Sequence, residues 1–456
     1  MRCSITHHRL ILTGLIGLLL CGLNTASAQT GGPNQTQNKT VTITIGAPIG
    51  TSKLELGVDY TQNNLASWGN PQAIKRAEAI AHDVAQYQNV HIMGWGSNNP
   101  EPSPGVYDWS SLDQRINIVR ATGRIPVITL CCAPDWMKGG APGATDWKHL
   151  TDAPQPQHFK DFTELARQIA LRYPDVKHYQ VWNEFKGFWN PAKNRWNYEE
   201  YTELYNSIYD TLKQISPTIK IGGPYTPMGA LLHTNPRDKS SLTGPYGTIV
   251  QPILNAFDYW NQHKHGADFV TVDGGIQARD GFPADSFASL QKYQDIDHWI
   301  EQRTTLPIWW AEWYSPPNPD DHIPNNLVHA NQNALMTSTL IAMAPAVSVA
   351  LRWSPEEDAK PPYTVAGEDG LWSSTLIAGG GQPQPFAASM QNFERCFPRG
   401  ETLLATKISS NDIKALAGSK CVLLINTTPT TIAVNLDHQT VSLSPYEVSY
   451  ITRATQ

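Results

Sequence analysis

The chain has 456 residues, a net charge of −6 and no basic stripe, which removes nucleic acid from the expected partners. Behind the N-terminal segment about 425 residues remain, enough for one large domain and a small one. Tryptophan is frequent at fifteen residues, so its placement along the chain bears on function.

Residues 1–28 read as a signal peptide. Arg2, His7, His8 and Arg9 precede an apolar run from Leu10 to Leu23, and Ala26-Ser27-Ala28 offers a small-x-small cleavage site. A run of about 14 residues is short for a bilayer span, and no second long apolar run follows. The mature chain is expected to start near Gln29, to be secreted or periplasmic, and to lack a membrane span. Residues 29–48 begin as a polar leader, with a possible strand at Val41–Ile45.

Over residues 49–396 the pattern alternates. Short apolar runs at Leu54–Tyr60, Val90–Trp95, Ile125–Cys131, His178–Asn183, Ile219–Tyr225, Asp268–Asp273, Pro307–Tyr314 and Val347–Trp353 predict eight strands. Amphipathic windows separate them, such as Ile74, Ala77, Ile80, Val84 and Tyr87, then Phe159, Phe162, Leu165, Ala166 and Ile169. Ser110 and Asn197 mark helix starts, and Gly123 and Pro217 mark helix ends. Eight strands each followed by a helix specify a (β/α)8 TIM barrel. The alternative, a doubly wound open sheet, lacks a Gly-rich loop after the first strand.

Residues 397–456 change texture. Thr402–Ile408, Ile413–Leu416, Cys421–Ile425, Thr431–Leu436, Thr440–Leu443 and Val448–Thr452 are short β-branched runs between turn residues, and predict a small all-β sandwich. Cys396 and Cys421 flank the junction and are free to pair in an oxidising compartment. Adjacent Cys131 and Cys132 lie in an apolar strand and read as packed thiols. The cysteine spacings are not those of a metal site. No metal or organic cofactor is implied.

A barrel carries its function at the C-terminal ends of its strands. Strand four ends in Val181-Trp182-Asn183-Glu184 and strand seven in Trp309-Trp310-Ala311-Glu312-Trp313-Tyr314. Two carboxylates facing each other across a pocket are what glycosidic cleavage needs, one protonated to release the leaving oxygen and one ionised to attack the anomeric carbon. A lone strand-end glutamate is as well explained by an ion pair. Two of them, each flanked by tryptophan, favour chemistry. Indole faces cover the C–H face of a pyranose, and Trp95, Trp136, Trp310 and Trp353 also fall at strand ends. About half of the strand-end tryptophans are expected to be packing instead, because aromatics fill cores readily.

Trp182-Asn183-Glu184 and Ala311-Glu312-Trp313, with Tyr107–Asp113, Gly123–Leu130, Ala133-Pro134-Asp135-Trp136 and Ile221–Pro224, resemble the retaining clan A (β/α)8 glycoside hydrolases. The trailing sandwich adds to a resemblance to glycoside hydrolase family 39, the β-xylosidase and α-L-iduronidase family. The resemblance implies Glu184 as general acid/base, Glu312 as nucleophile, Asn183 as a partner of the sugar 2-hydroxyl or the nucleophile, and Trp353 as the floor of the −1 site. Asp273, Lys186 and Tyr314 join the expected substrate contacts.

Two segments depart from the family pattern. Phe185-Lys186 stands where Pro-Asn often follows the acid/base, and Val272-Asp273-Gly274-Gly275 stands where His and Tyr commonly end strand six. The glycines are expected to open space there, with Asp273 as a replacement polar contact. The activity so implied is retaining hydrolysis of a plant or microbial oligo- or polysaccharide, β-xylosidase- or arabinosidase-like and exo-acting. A silent carbohydrate-binding barrel and a transglycosylase are the alternatives on the same residues.

Overall fold

The computed structural model describes residues 40–316, 318, 323–357, 370–437 and 439–453. The expected signal peptide and the first part of the leader lie outside that range. Strand β1 (Thr40–Thr51) opens the described chain. It is followed by eight parallel strands, β2 (Glu55–Asp59), β3 (Tyr87–His91), β4 (Ile125–Leu130), β5 (His178–Val181), β6 (Lys220–Pro227), β7 (Phe269–Gly275), β8 (Ile308–Tyr314) and β9 (Val347–Trp353). They close in sequence order, β9 pairing with β2 and β5 with β6.

Eight helices follow the strands in turn: α1 (Pro71–Val84), α2 (Ser110–Ala121), α3 (Phe159–Arg172), α4 (Tyr198–Ile215), α5 (Gln251–His263), α6 (Gln291–Glu301), α7 (Val328–Met343) and α8 (Pro385–Cys396). Most turn an apolar stripe to the barrel, as Phe162, Leu165, Ala166 and Ile169 do on α3, whereas α7 is buried on nearly all sides. The predicted (β/α)8 barrel is the observed architecture. A separate single turn at Ser286–Ser289 precedes α6. Among the described residues no helix is long and apolar enough to cross a membrane.

The barrel interior has two layers of different chemistry. At the lower end Tyr87, Val127, Phe269, Trp309, Val349 and Leu351 form a closed apolar plug, with Trp309 stacked on Phe269 at 4.1 Å. Above it, toward the strand C-termini, the inward side chains turn polar: Asp59, Asn89, His91, Thr129, Gln180, Asp273 and Glu312 are all buried. Burying such a layer is costly unless its members are hydrogen-bonded: Asn89 bonds to Asp59, Thr129 and Gln180, while Asp59, His91 and Asp273 each keep an atom without a partner.

The β domain is one seven-stranded sheet. It consists of β1, β10 (Thr402–Ile408), β11 (Ile413–Gly418), β12 (Cys421–Asn426), β13 (Ile432–Leu436), β14 (Gln439–Leu443) and β15 (Val448–Thr452). The first part of β1 pairs in parallel with β13 and the rest antiparallel with β10, with register shifts after Ile45 and Pro48. One long strand therefore joins the two halves, which fold over a core of Val41, Ile43, Ile413, Val422, Leu424, Val434 and Leu443. The barrel thus starts after Thr51 rather than at residue 49, and the leader contributes a full strand to the β domain.

The opposite face of β12, Cys421, Leu423 and Ile425, packs into the main core with α7 and α8. Cys396 and Cys421 are disulfide-bonded and tie α8 to β12 across 25 residues of sequence. Closing a loop of that size contributes about 3 kcal/mol. Cys131 and Cys132 are bonded to each other as well, so the expectation of two packed thiols is corrected. Adjacency and complete burial of both side chains put the sulfurs together where the sequence shows only an apolar strand.

Candidate active site

Glu312 faces the cavity because β8 breaks its own alternation. Trp309 points into the barrel, and strict period two would send Ala311 and Trp313 there as well. The pairing of β8 with β7 and β9 shifts register between Trp310 and Trp313. That bulge turns the strand by one residue. Trp310 and Trp313 therefore point outward, Trp310 donating its indole N–H to Asp297 of α6 at 2.9 Å and Trp313 packing edge-on against Phe386 of α8. Trp310 is fully buried between strand and helix, which corrects its expected role as a substrate contact.

Glu312 itself is 8% exposed. Its Oε1 accepts two hydrogen bonds, from Asn183 Nδ2 at 3.0 Å and from the Tyr225 hydroxyl at 2.9 Å. Among the described residues no hydrogen bond reaches Oε2. Burial, and then the negative charge of Glu184, push the carboxyl up to about 7, against the pull of Lys186 and of the two donors.

Glu184 enters from the turn after β5. Trp182, Glu184 and Phe185 all have positive φ, at 66°, 51° and 54°. Each such residue costs about 1–3 kcal/mol and is held only by its surroundings. The surroundings here are Phe185 and Phe188, both buried against Tyr201, and the Trp182 indole N–H, which donates to the Lys186 carbonyl at 2.7 Å. Gly187, at φ 77°, lets the chain after β4 pass so close that a Cβ would lie 2.2 Å from the Ala153 nitrogen.

The segment Phe185–Trp189, where the family pattern breaks, is thus an anchor with one cation. Lys186 forms an ion pair with Glu184, donates to Asn183 Oδ1 at 2.7 Å, and lies 5.2 Å from the ring centre of Trp95. Its positive charge is already committed to the carboxylate pair.

Asp273 is buried and shares a hydrogen bond with Glu184, a contact between carboxyl groups that needs a proton on one of them. Burial first, then Glu184 and Glu312, hold the Asp273 carboxyl well above the ordinary range. The space expected at Gly274-Gly275 is not open. A Cβ on Gly275 would meet the Tyr314 ring at 2.3 Å, so the glycine makes room for Tyr314, whose ring in turn lies edge-on to Trp353. Lys292 of α6 reaches the Gly275 carbonyl from behind, and its burial brings the ammonium down to about 7.

Trp95 and Trp353 are partly exposed at the mouth. Trp136 is not: its indole N–H is spent on the Glu101 carbonyl at 2.9 Å, and the ring packs edge-on to His158, joining the loops after β3 and β4. Its expected ligand contact is therefore replaced by packing.

Three site residues escaped the sequence reading: Asp59, His91 and Tyr225. Asp59 and His91 are polar side chains within apolar strands, and Tyr225 ends a predicted strand. Those are the signals that were available. Asp59 Oδ1 accepts from Asn89 Nδ2 at 2.7 Å, and Asn89 is held by Thr129 and Gln180. His91 is buried, its ring 4.7 Å from that of Trp95, and burial brings its imidazole down to about 3, leaving it neutral.

The site also makes a prediction about pH. Lys186 draws down the pKa of Glu312, Asp273 and Asp59. In Lys186→Met these carboxyls keep their protons to higher pH, so the acid limb of a kcat/KM profile moves upward. Removing a nearby unit charge at an effective dielectric near 20 supports a shift of roughly two pH units. An unmoved or downward-moving limb would contradict the assignment.

A (β/α)8 barrel that brings glutamates from its fourth and seventh strands into one aromatic-rimmed cavity has the architecture of the glycoside hydrolases. The model of Glycosyl hydrolases family 39 matches residues 91–348, which include both glutamates, and the chain belongs to that family. A β-xylosidase of Caldicellulosiruptor saccharolyticus is 24% identical over 257 residues, 52% of this chain and 48% of the relative, so the match spans about half the length of that protein. Among solved structures, the family 39 enzyme of Xanthomonas axonopodis pv. citri superposes with TM-score 0.57 at 20% identity, covering 89% of this chain and 83% of that one. A monomeric β-xylosidase of Caulobacter crescentus CB15 gives 0.57 at 16% identity, covering 91% and 97%. At these identities the two structures share the fold.

Proposed function

We propose that the protein is a retaining glycoside hydrolase, secreted or periplasmic, that cleaves a plant or microbial saccharide by double displacement. The observation that carries this is the arrangement of Glu312. Two donors hold one oxygen, the other is left for attack, and a second carboxyl stands near enough to perturb its ionisation. Glu312 attacks the anomeric carbon as Glu184 gives a proton to the departing oxygen. Glu184 then takes a proton from water, which displaces Glu312 from the glycosyl-enzyme. Asn183 and Tyr225 hold the carboxylate in line and stabilise it as it leaves. Asp59, His91 and Asp273 face the same cavity with unpaired polar atoms suited to sugar hydroxyls. Tyr314 and Trp353 form an aromatic wall.

The reading extends to β-xylosidase- or arabinosidase-like, exo-acting cleavage. The β-xylosidase relative supports it, as does the absence of an uncommitted cation at the cavity among the residues described above, which disfavours a uronate. The test is a panel of aryl xylo-, arabino-, gluco- and galactosides, with the first-released anomer read by proton NMR. Turnover with the substrate's own anomeric configuration in the first product is expected. Inversion, or binding of sugars with no turnover on any of them, would overturn the reading.

A further inference from the structure

Asp59, His91 and Glu312 each place one ligand-type atom within 4.8 Å of the others, and all three are buried. Two independent features set the cluster apart from an ordinary acidic group. Asp59 Oδ2 has no hydrogen-bond partner, and neither nitrogen of His91 has one. His91 Nδ1 stands 3.8 Å from Asp59 Oδ1, against about 3.3 Å between ligands that surround a zinc ion tetrahedrally at 2.0–2.1 Å. A small inward movement of the three side chains closes that gap.

Supporting hydrogen bonds are already in place. Asn89 orients Asp59, while Asn183 and Tyr225 orient Glu312 through Oε1. Donors of this kind fix ligand geometry and tune affinity. The donor set is one imidazole and two carboxylates. It favours zinc, cobalt, nickel or copper over magnesium and calcium, which prefer all-oxygen shells.

We propose that these three side chains form a binding site for a divalent transition-metal ion, and that an ion bound there takes the free oxygen of Glu312 and blocks turnover. Asp59 and Glu312 bind as carboxylates, and any proton they carry passes to solvent. Metal binding does not depend on the hydrolase reading; only the block on turnover does.

The probe is Co2+ added to full-length, chelator-treated protein, followed by its visible ligand-field bands, with Zn2+ measured by calorimetry. One equivalent is expected to bind. His91→Gln and Asp59→Asn should each weaken affinity by about 100-fold or more, and Mg2+ should not compete. His233→Gln, at an exposed surface histidine, should leave binding unchanged. If His91→Gln folds poorly by circular dichroism, Glu312→Gln serves in its place, and a Zn2+-dependent rise in the melting temperature of the unaltered protein is a second readout. With an active substrate, Zn2+ should inhibit competitively and chelator should restore the rate. Absent cobalt bands, or bands unchanged in His91→Gln and Asp59→Asn, would overturn the site. Binding without inhibition would remove the block on turnover and leave the hydrolase reading untouched.

Discussion

Glu312→Gly is expected to lower kcat on an activated aryl glycoside by roughly 10^4- to 10^6-fold, the scale on which losing a covalent nucleophile acts. Azide should restore part of the rate. The glycine leaves a cavity bounded by Asn183 Nδ2 and the Tyr225 hydroxyl, two donors that have lost their shared acceptor. Azide can enter it, attack the anomeric carbon and expel the aryl oxide, giving a glycosyl azide of inverted configuration. The two donors left without an acceptor cost about 1–3 kcal/mol each, so folding of the variant is checked by circular dichroism, and no unpaired counter-charge stays behind. Lys186 keeps Glu184 as its partner. Near-normal turnover without azide would sink the assignment of Glu312 as nucleophile.

The fold was legible because its signals are local and repeated. The run Val347–Trp353 is a strand over its whole predicted length, and the predicted β-domain runs fall within a residue or two of the observed strands. The second barrel strand is an instructive miss. The apolar run Val90–Trp95 suggested a strand there, whereas β3 is Tyr87–His91, displaced toward the polar residues Gln88 and Asn89. Both amides are buried: Asn89 faces the barrel interior and donates to Asp59, while Gln88 faces the helices, accepting from the Tyr60 and Thr122 hydroxyls and donating to the Ala81 carbonyl. Hydrophobic periodicity cannot reward a strand whose inward face is polar, and the polar layer under the active site is such a face. The same rule hid Asp59 and His91.

The tryptophans show the complementary failure. Composition marks them as potential platforms, yet Trp136, Trp182, Trp310 and Trp313 are buried, while Trp95 and Trp353 reach the mouth. For the WWAEW segment the deciding feature is the bulge in β8, which depends on pairing with both neighbours and has no signature in the segment itself. The hairpin that pairs Trp189–Asn190 with Arg195–Trp196 was missed for a related reason, since strands of two residues are too short to show a period. The glutamate pair, by contrast, needed only the rule that barrel chemistry sits at strand C-termini.

Glu184→Ala should separate the two glutamates. General acid catalysis contributes about 10^2- to 10^4-fold, so a glycoside with a poor leaving group should lose roughly that much in kcat/KM. A dinitrophenyl glycoside, whose leaving group needs no proton, should keep most of its glycosylation rate and accumulate the glycosyl-enzyme, because water then lacks its base. Azide, which needs no base, should speed that second step and give a glycosyl azide of retained configuration, opposite to the product of Glu312→Gly. Lys186 is expected to swing its charge to Asp273, which already feels it across the cavity, so the loss should be chemical and not structural. Equal losses on both leaving groups would assign Glu184 to positioning, with the proton coming from elsewhere. Asp273, sharing a hydrogen bond with Glu184 and carrying a carboxyl held well above the ordinary range, would then be the group to replace next.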